Sequence, residues 1–204
     1  QGLAEMMNFV GIISGDSQPV EKIVAAQAHH KKIDGHAPDL RGSDLNAYIA
    51  AGVYSDHECH DAADAIAKLE RGQFIMIREG TAAHNLEALL PLLTPQYADR
   101  CMFCCDDKHP SDLLEKGHID FNVREAIRQG VDPIVAVKVA CHHAARYFLL
   151  NNRGAIAPGY LADFVVIDNF QDFNILQVFK KGEELYDGKA VREFAAPEID
   201  PYLT

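Results

Sequence analysis

Five short stretches of this chain carry groups from which a reaction could be built. They are Glu5 in "GLAEMM", His36 in "IDGHAP", His57 in "YSDHEC", Glu79 in "MIREG" and the pair Asp106-Asp107 in "FCCDDK". Imidazole and carboxylate are ligand types for divalent transition metals, and they move protons near neutral pH. A lone Asp after a strand is ordinarily a cap or a turn former. Helix caps prefer Ser, Thr, Asn and Asp, so His and Glu in the same setting ask for another reason. Taken together, two His, one Glu and one Asp predict a metal site. The ligand set offers no thiolate, which favours manganese or iron(II) at least as much as zinc.

These residues are far apart in sequence, so the fold must bring them together. Each follows a short apolar run: Leu3-Ala4, Lys32 to Gly35, Val53-Tyr54-Ser55, Phe74 to Ile77, and Cys101 to Cys105. The runs alternate with helical spacing. The pattern predicts helices from Pro19 to His30, from a Ser43 cap through Ala51, and from an Asp61 cap over Ala62 to Arg71. Further helices are expected over Ala83 to Leu93, Ile119 to Gln129, and Asp132 to Leu149. A βαβα alternation implies a parallel sheet covered by helices, and in such a sheet all strand C-termini lie at one end. An open doubly wound sheet and a (β/α)₈ barrel both fit. No glycine-rich phosphate loop follows a strand, which removes the usual nucleotide signature of the open sheet.

After residue 150 the texture changes. "GAIAPGYLADFVVID" reads as a turn and a strand, and "NILQVFKKGEELYDG" as a hairpin with Lys181-Gly182 at its turn. The expected organisation is an α/β unit over residues 1–150, a β-rich lobe segment over 151–190, and a proline-punctuated linker or tail over 191–204. The opening Gln1-Gly2-Leu3 reads as an interior strand cut at its front, so the chain is expected to be a piece of a longer protein.

With 204 residues and a formal charge of −11, the chain can bury a sizeable core. Its acidity argues against nucleic acid or an anionic membrane as partner. Its apolar runs are too short to span a bilayer. An odd count of five cysteines without disulfide spacing suggests reduced thiols in a cytoplasm. Cys101 and Cys104 have knuckle spacing, but three residues apart on a strand they face opposite ways. His29-His30 and His142-His143 fall on helices as surface or structural residues, and Tyr48, Phe121 and Phe148 read as core.

The blocks "GLAEMMNFVGII", "IDGHAPDLRGSDLNAYIAAGVYSDHEC", "MIREGTAAHNLEALLPLL", "CDDKHPSDLLEKGHID" and "GAIAPGYLADFVVID" resemble the bacterial adenine deaminase family of the amidohydrolase superfamily, over nearly all of residues 1–190. The resemblance implies the C-terminal part of a metal-dependent (β/α)₈ TIM-type barrel, about strands four to eight, with strands of a small β-sandwich lobe. It implies hydrolysis of adenine to hypoxanthine and ammonia, as in purine salvage. Glu5, His36, His57 and Asp106 then correspond to metal ligands. Asp106 also handles the proton of the attacking water. Glu79 and Asp107 match family positions, and the chemistry makes Glu79 the candidate proton donor near the purine ring and Asp107 a candidate substrate-binding group that accepts from an imidazole N–H. The superfamily's His-x-His pair of the first strand is absent from these 204 residues. The chain alone is therefore expected to be inactive, and to associate with the missing part of the barrel or with copies of itself. Two alternatives stand beside this reading: an amidohydrolase acting on another cyclic amide or amine, and a non-catalytic half-barrel.

Overall fold

A computed structural model describes residues 2–195. The expected tail falls partly outside them, at 196–204. In chain order the α/β part comprises β1 (Gly2–Met6), α1 (Phe9–Ser14), α2 (Ser17–Ala28), β2 (Lys32–Gly35), α3 (Gly42–Ala50), β3 (Ser55–Asp56), α4 (Ala62–Leu69), β4 (Phe74–Arg78), α5 (Leu86–Leu89), β5 (Cys101–Cys104), α6 (Pro110–Glu115), α7 (Ile119–Arg128), α8 (Pro133–Lys138) and α9 (Ala144–Tyr147). A π-helical segment, Val139–His143, joins α8 to α9.

The five strands pair in parallel in the order β1-β2-β3-β4-β5. Each strand lies beside its sequence neighbour, and right-handed crossovers then put the connecting helices on one face, while Tyr147 of α9 reaches the other. A doubly wound sheet would reverse its order at a switch point. The winding here is that of a barrel wall, which decides between the two architectures the sequence left open.

The pleat divides the sheet's side chains into two sets. Ile75 and Ile77 of β4, with Cys101 and Phe103 of β5, pack outward against Ala65, Leu69, Leu86, Leu89, Val123, Ala126 and Val139 of the helical layer. Ile33 of β2 packs likewise with Ile12, Ile23, Leu45 and Tyr48. Met76 and Met102 face the other way, against Tyr147. Cys101 and Cys104 therefore do lie on opposite faces of β5.

Several elements depart from the expected bounds. The Ala83 to Leu93 helix shrinks to α5 and a 3-10 turn at Leu90–Leu92, because an isolated bridge between Glu79 and His84 holds the preceding residues extended and Pro91 falls inside the segment. Asp132 caps α8 as expected, with Oδ1 accepting from the amides of Ile134 at 2.8 Å and Val135 at 3.1 Å. Residues 17 and 18 extend α2 upstream because Asp16 caps it, accepting from the Gln18 amide. β3 is reduced to two residues. Side chains supplement its thin backbone ladder: the Gln73 amide donates to the carbonyls of Val53 at 3.0 Å and Ser55 at 3.4 Å, and Ser55 Oγ donates to Asp34 at 2.9 Å.

The remaining strands, β6 (Phe164–Ile167), β7 (Ile175–Lys180) and β8 (Glu183–Tyr186), form a three-stranded antiparallel sheet. The β7–β8 hairpin turns at Lys181 (φ 53°) and Gly182 (φ 81°). Two positive φ values match the twist of a two-residue hairpin loop. Asp163 accepts from the Lys181 amide at 2.7 Å, which helps a non-glycine residue hold that conformation.

Gly35 is needed for close approach. A Cβ there would overlap the Ser55 carbonyl oxygen and lie 2.7 Å from Val53 Cγ1. Gly35→Ala is expected to push β2 from β3 and destabilise the fold by about 1–3 kcal/mol, read by urea unfolding.

Candidate metal centre

Five consecutive strands deliver one polar group each to the same rim. Glu5 stands near the end of β1, His36 and His57 directly follow β2 and β3, Arg78 ends β4, and Asp106 lies two residues past β5. His36 Nδ1 lies 3.1 Å from Glu5 Oε1, and His57 Nε2 lies 3.4 Å from the same oxygen. The two imidazoles meet edge to face with centroids 5.3 Å apart. Glu5, His36 and His57 offer ligand atoms within 4.8 Å of one another, and so do His57, Glu58 and Asp106. His57 belongs to both groups.

Two members of this cluster escape the sequence reading. Glu58 Oε1 lies 3.5 Å from His36 Nδ1 and 3.4 Å from His57 Nε2. Arg78 is buried and forks between two carboxylates. Its Nη1 donates to Glu58 Oε1 and, at 3.0 Å, to Asp106 Oδ2, while Nη2 donates to Glu58 Oε2 at 3.1 Å. Burial alone would raise the Glu58 pKa. The Arg78 hydrogen bonds and charge, together with the two imidazoles, outweigh it and hold Glu58 below the usual carboxylate range. Pleat parity was the available signal. Residues 76 and 78 share a face, and Met76 looks inward.

The same parity removes Glu79 from the cluster. It follows the inward Arg78 and turns toward the helical side, where Oε1 meets His84 Nδ1 at 2.6 Å and Oε2 accepts from the Leu86 amide at 3.4 Å. Asp107 is likewise occupied elsewhere. Its carboxylate accepts from the amides of Thr81 at 3.2 Å and Ala82 at 2.8 Å, closing the loop after β4. Of the expected site residues, the structure brings together Glu5, His36, His57 and Asp106, and sets Glu79 and Asp107 to one side as loop ties.

The residues fit a divalent cation on three observations. His57 Nε2 is buried and makes no hydrogen bond among the described residues, with Glu5 Oε1 and Glu58 Oε1 each 3.4 Å away. Such an atom costs free energy unless something coordinates it. Glu5 (φ 56°) and Asp106 (φ 47°) both hold left-handed backbone, which is uncommon for L residues and carries strain. Finally, two carboxylates, Glu58 and Asp106, converge on one guanidinium, and Glu5 stands nearby against the imidazoles, so negative charge is left uncompensated.

Behind the rim, Tyr48 of α3 ties two ligand loops. Its hydroxyl donates to the Met6 carbonyl at 2.6 Å and accepts from the His36 amide at 3.2 Å. The expected core role of Tyr48 therefore includes a polar tie.

With the geometry established, comparison with known proteins assigns the family. Residues 3–185 match the model of the amidohydrolase family. The chain is 52% identical over 186 residues to an adenine deaminase of Desulfatibacillum aliphaticivorans, covering 91% of this chain and 33% of the relative. It is 49% identical over 199 residues to an adenine deaminase of Kosmotoga olearia, covering 98% and 33%. The chain thus spans about a third of the length of these curated relatives. Among solved structures, a β-aspartyl dipeptidase from Fervidobacterium islandicum AW-1 superposes with a TM-score of 0.68 at 20% identity, over 90% of this chain and 54% of that one. An N-acetyl-D-glucosamine-6-phosphate deacetylase from Mycobacterium smegmatis gives 0.62 at 18%, over 86% and 51%. These two share the fold. The strand-end cluster, the parallel winding and the match over most of its length together show that this chain belongs to the amidohydrolase family.

Proposed function

We propose that this chain supplies strands four to eight of a (β/α)₈ barrel, with β6–β8 contributing to a small β lobe, in a cytoplasmic enzyme that hydrolyses adenine to hypoxanthine and ammonia. The observation that carries the metal chemistry is the meeting of Glu5, His36 and His57, with the buried His57 Nε2 making no hydrogen bond among the described residues. The substrate rests on the identity of about half to proteins named adenine deaminase. The remaining strands, and with them the His-x-His pair, would come from other sequence. β1 and β5 end the strand order and are the edges such strands would join.

Glu5, His36, His57 and Asp106 would hold the metal, with manganese or iron(II) favoured over zinc by a donor set of carboxylates and imidazoles. When bound, the metal lowers the pKa of a water from roughly 16 to about 7. Asp106 then takes the proton of the attacking water as oxygen bonds to adenine C6. It returns that proton to the exocyclic nitrogen, which leaves as ammonia while the C6–N bond breaks. Arg78 orients Asp106 and Glu58 through its hydrogen bonds and keeps Glu58 ionised. Glu58, held as a carboxylate, serves as an acceptor. Glu79 and Asp107 act by shaping the loop beyond β4.

Three measurements test this reading. Ammonia release from adenine by the full-length protein should exceed that from guanine, cytosine or hydantoins, and equal rates on another ring would redirect the substrate. Asp106→Asn should lower turnover by about 10²–10⁴-fold with metal retained. His57→Ala should weaken Mn²⁺ binding by more than about tenfold, measured by equilibrium dialysis, and unchanged binding would remove His57 from the ligand set.

A further inference from the structure

On the helical side of the sheet, directly behind the metal centre, lies a buried ionic cluster that the proposed reaction does not use. Lys68 of α4 is 0% exposed. Its Nζ donates to the Ala37 carbonyl at 2.8 Å and to Asp64 Oδ2 at 2.9 Å, and lies 3.5 Å from both Asp56 Oδ2 and Cys59 Sγ. Asp56, also 0% exposed, is the last residue of β3. Its Oδ2 accepts from the Ala37 amide at 2.9 Å and its Oδ1 from the Glu58 amide at 2.7 Å.

Ala37 follows His36, and Glu58 follows His57. The Asp56 carboxylate thus grips the backbone next to both imidazoles at once. Lys68 grips the other side of the Ala37 peptide and neutralises the carboxylate that does the gripping. Burial opposes the Lys68 charge, but Asp56, the Cys59 sulfur and Asp64 more than offset it and raise its pKa. An amine on the apolar face of α4, between the buried Ala65 and Leu69, would otherwise be a poor choice for packing. Plain core residues would fill the space without fixing two loops relative to each other.

We propose that Asp56 and Lys68 are positioning residues for the metal centre: their buried ion pair sets the separation of His36 and His57 by holding Ala37 and Glu58. This rests on the metal-site reading above. Groups that orient metal ligands typically carry about 10–100-fold of metal affinity.

The test is Mn²⁺ affinity of the full-length protein, by competition with a chelator, alongside unfolding of the metal-free protein. Lys68→Met should weaken Mn²⁺ binding by about tenfold or more. Asp56→Asn should do the same, because its amide nitrogen would meet the Ala37 N–H donor to donor. Val139→Ala, a core cavity with no polar tie to the ligand loops, provides a stability-matched comparison and should leave Mn²⁺ affinity within about threefold. If Lys68→Met does not fold, Asp56→Asn decides alone, and its failure to fold would make the cluster a folding element and overturn the proposal. Parent-like Mn²⁺ affinity in the variants would overturn it as well, as would an equal loss in Val139→Ala. A full-length parent protein that binds no Mn²⁺ would instead overturn the metal-site reading.

Discussion

Strand pleating is the constraint on which this site depends. Parallel pairing aligns the carboxyl ends of β1 to β5, and alternation then decides which residues face inward. Asp34 and Ser55 are cross-strand partners, as are Met76 and Met102, and Arg78 and Cys104. Moving two residues along from Asp34, Ser55 and Cys104 reaches His36, His57 and Asp106. A one-residue slip would trade these for their neighbours and dismantle the centre.

The electrostatics follow from that alignment. Glu5, Glu58 and Asp106 approach one another where water is partly excluded, and Arg78 offsets only part of their charge. Imidazoles beside such carboxylates offer electron pairs to a cation more readily than to an anion. This local excess is in keeping with the chain's overall charge of −11. It suits a neutral substrate, which meets no repulsion at the rim. The outer face answers with its own charges, where Lys68 sits between Asp56 and Asp64.

Much of this was legible in the residues. The strand positions and most helices followed from apolar runs and caps, and four of the six expected site residues meet at the rim. Glu79 was selected because it ends the fourth apolar run; in the structure it meets His84 on the helical side, and parity with Met76 gives the inward place to Arg78. Glu58 was hidden beside His57, since adjacency in a strand usually means opposite faces, but the chain has left the sheet by that point. Lys68 carried a visible signal, a charge on the apolar stripe of α4. Its partners could not be read, because Asp56 and Ala37 reach it only through tertiary packing. The sequential strand order was likewise beyond local patterns, which fit either winding.

The brevity of β3 has a consequence for how this sheet can vary. A central strand with two ladder residues is secured largely by what its neighbours' side chains reach across to hold, notably Gln73 and Asp34. Ordinary strands tolerate exchange of side chains because the peptide backbone does the joining. Here the joining is itself written in side chains, so drift at a buried glutamine that touches neither metal nor substrate would unmoor a ligand.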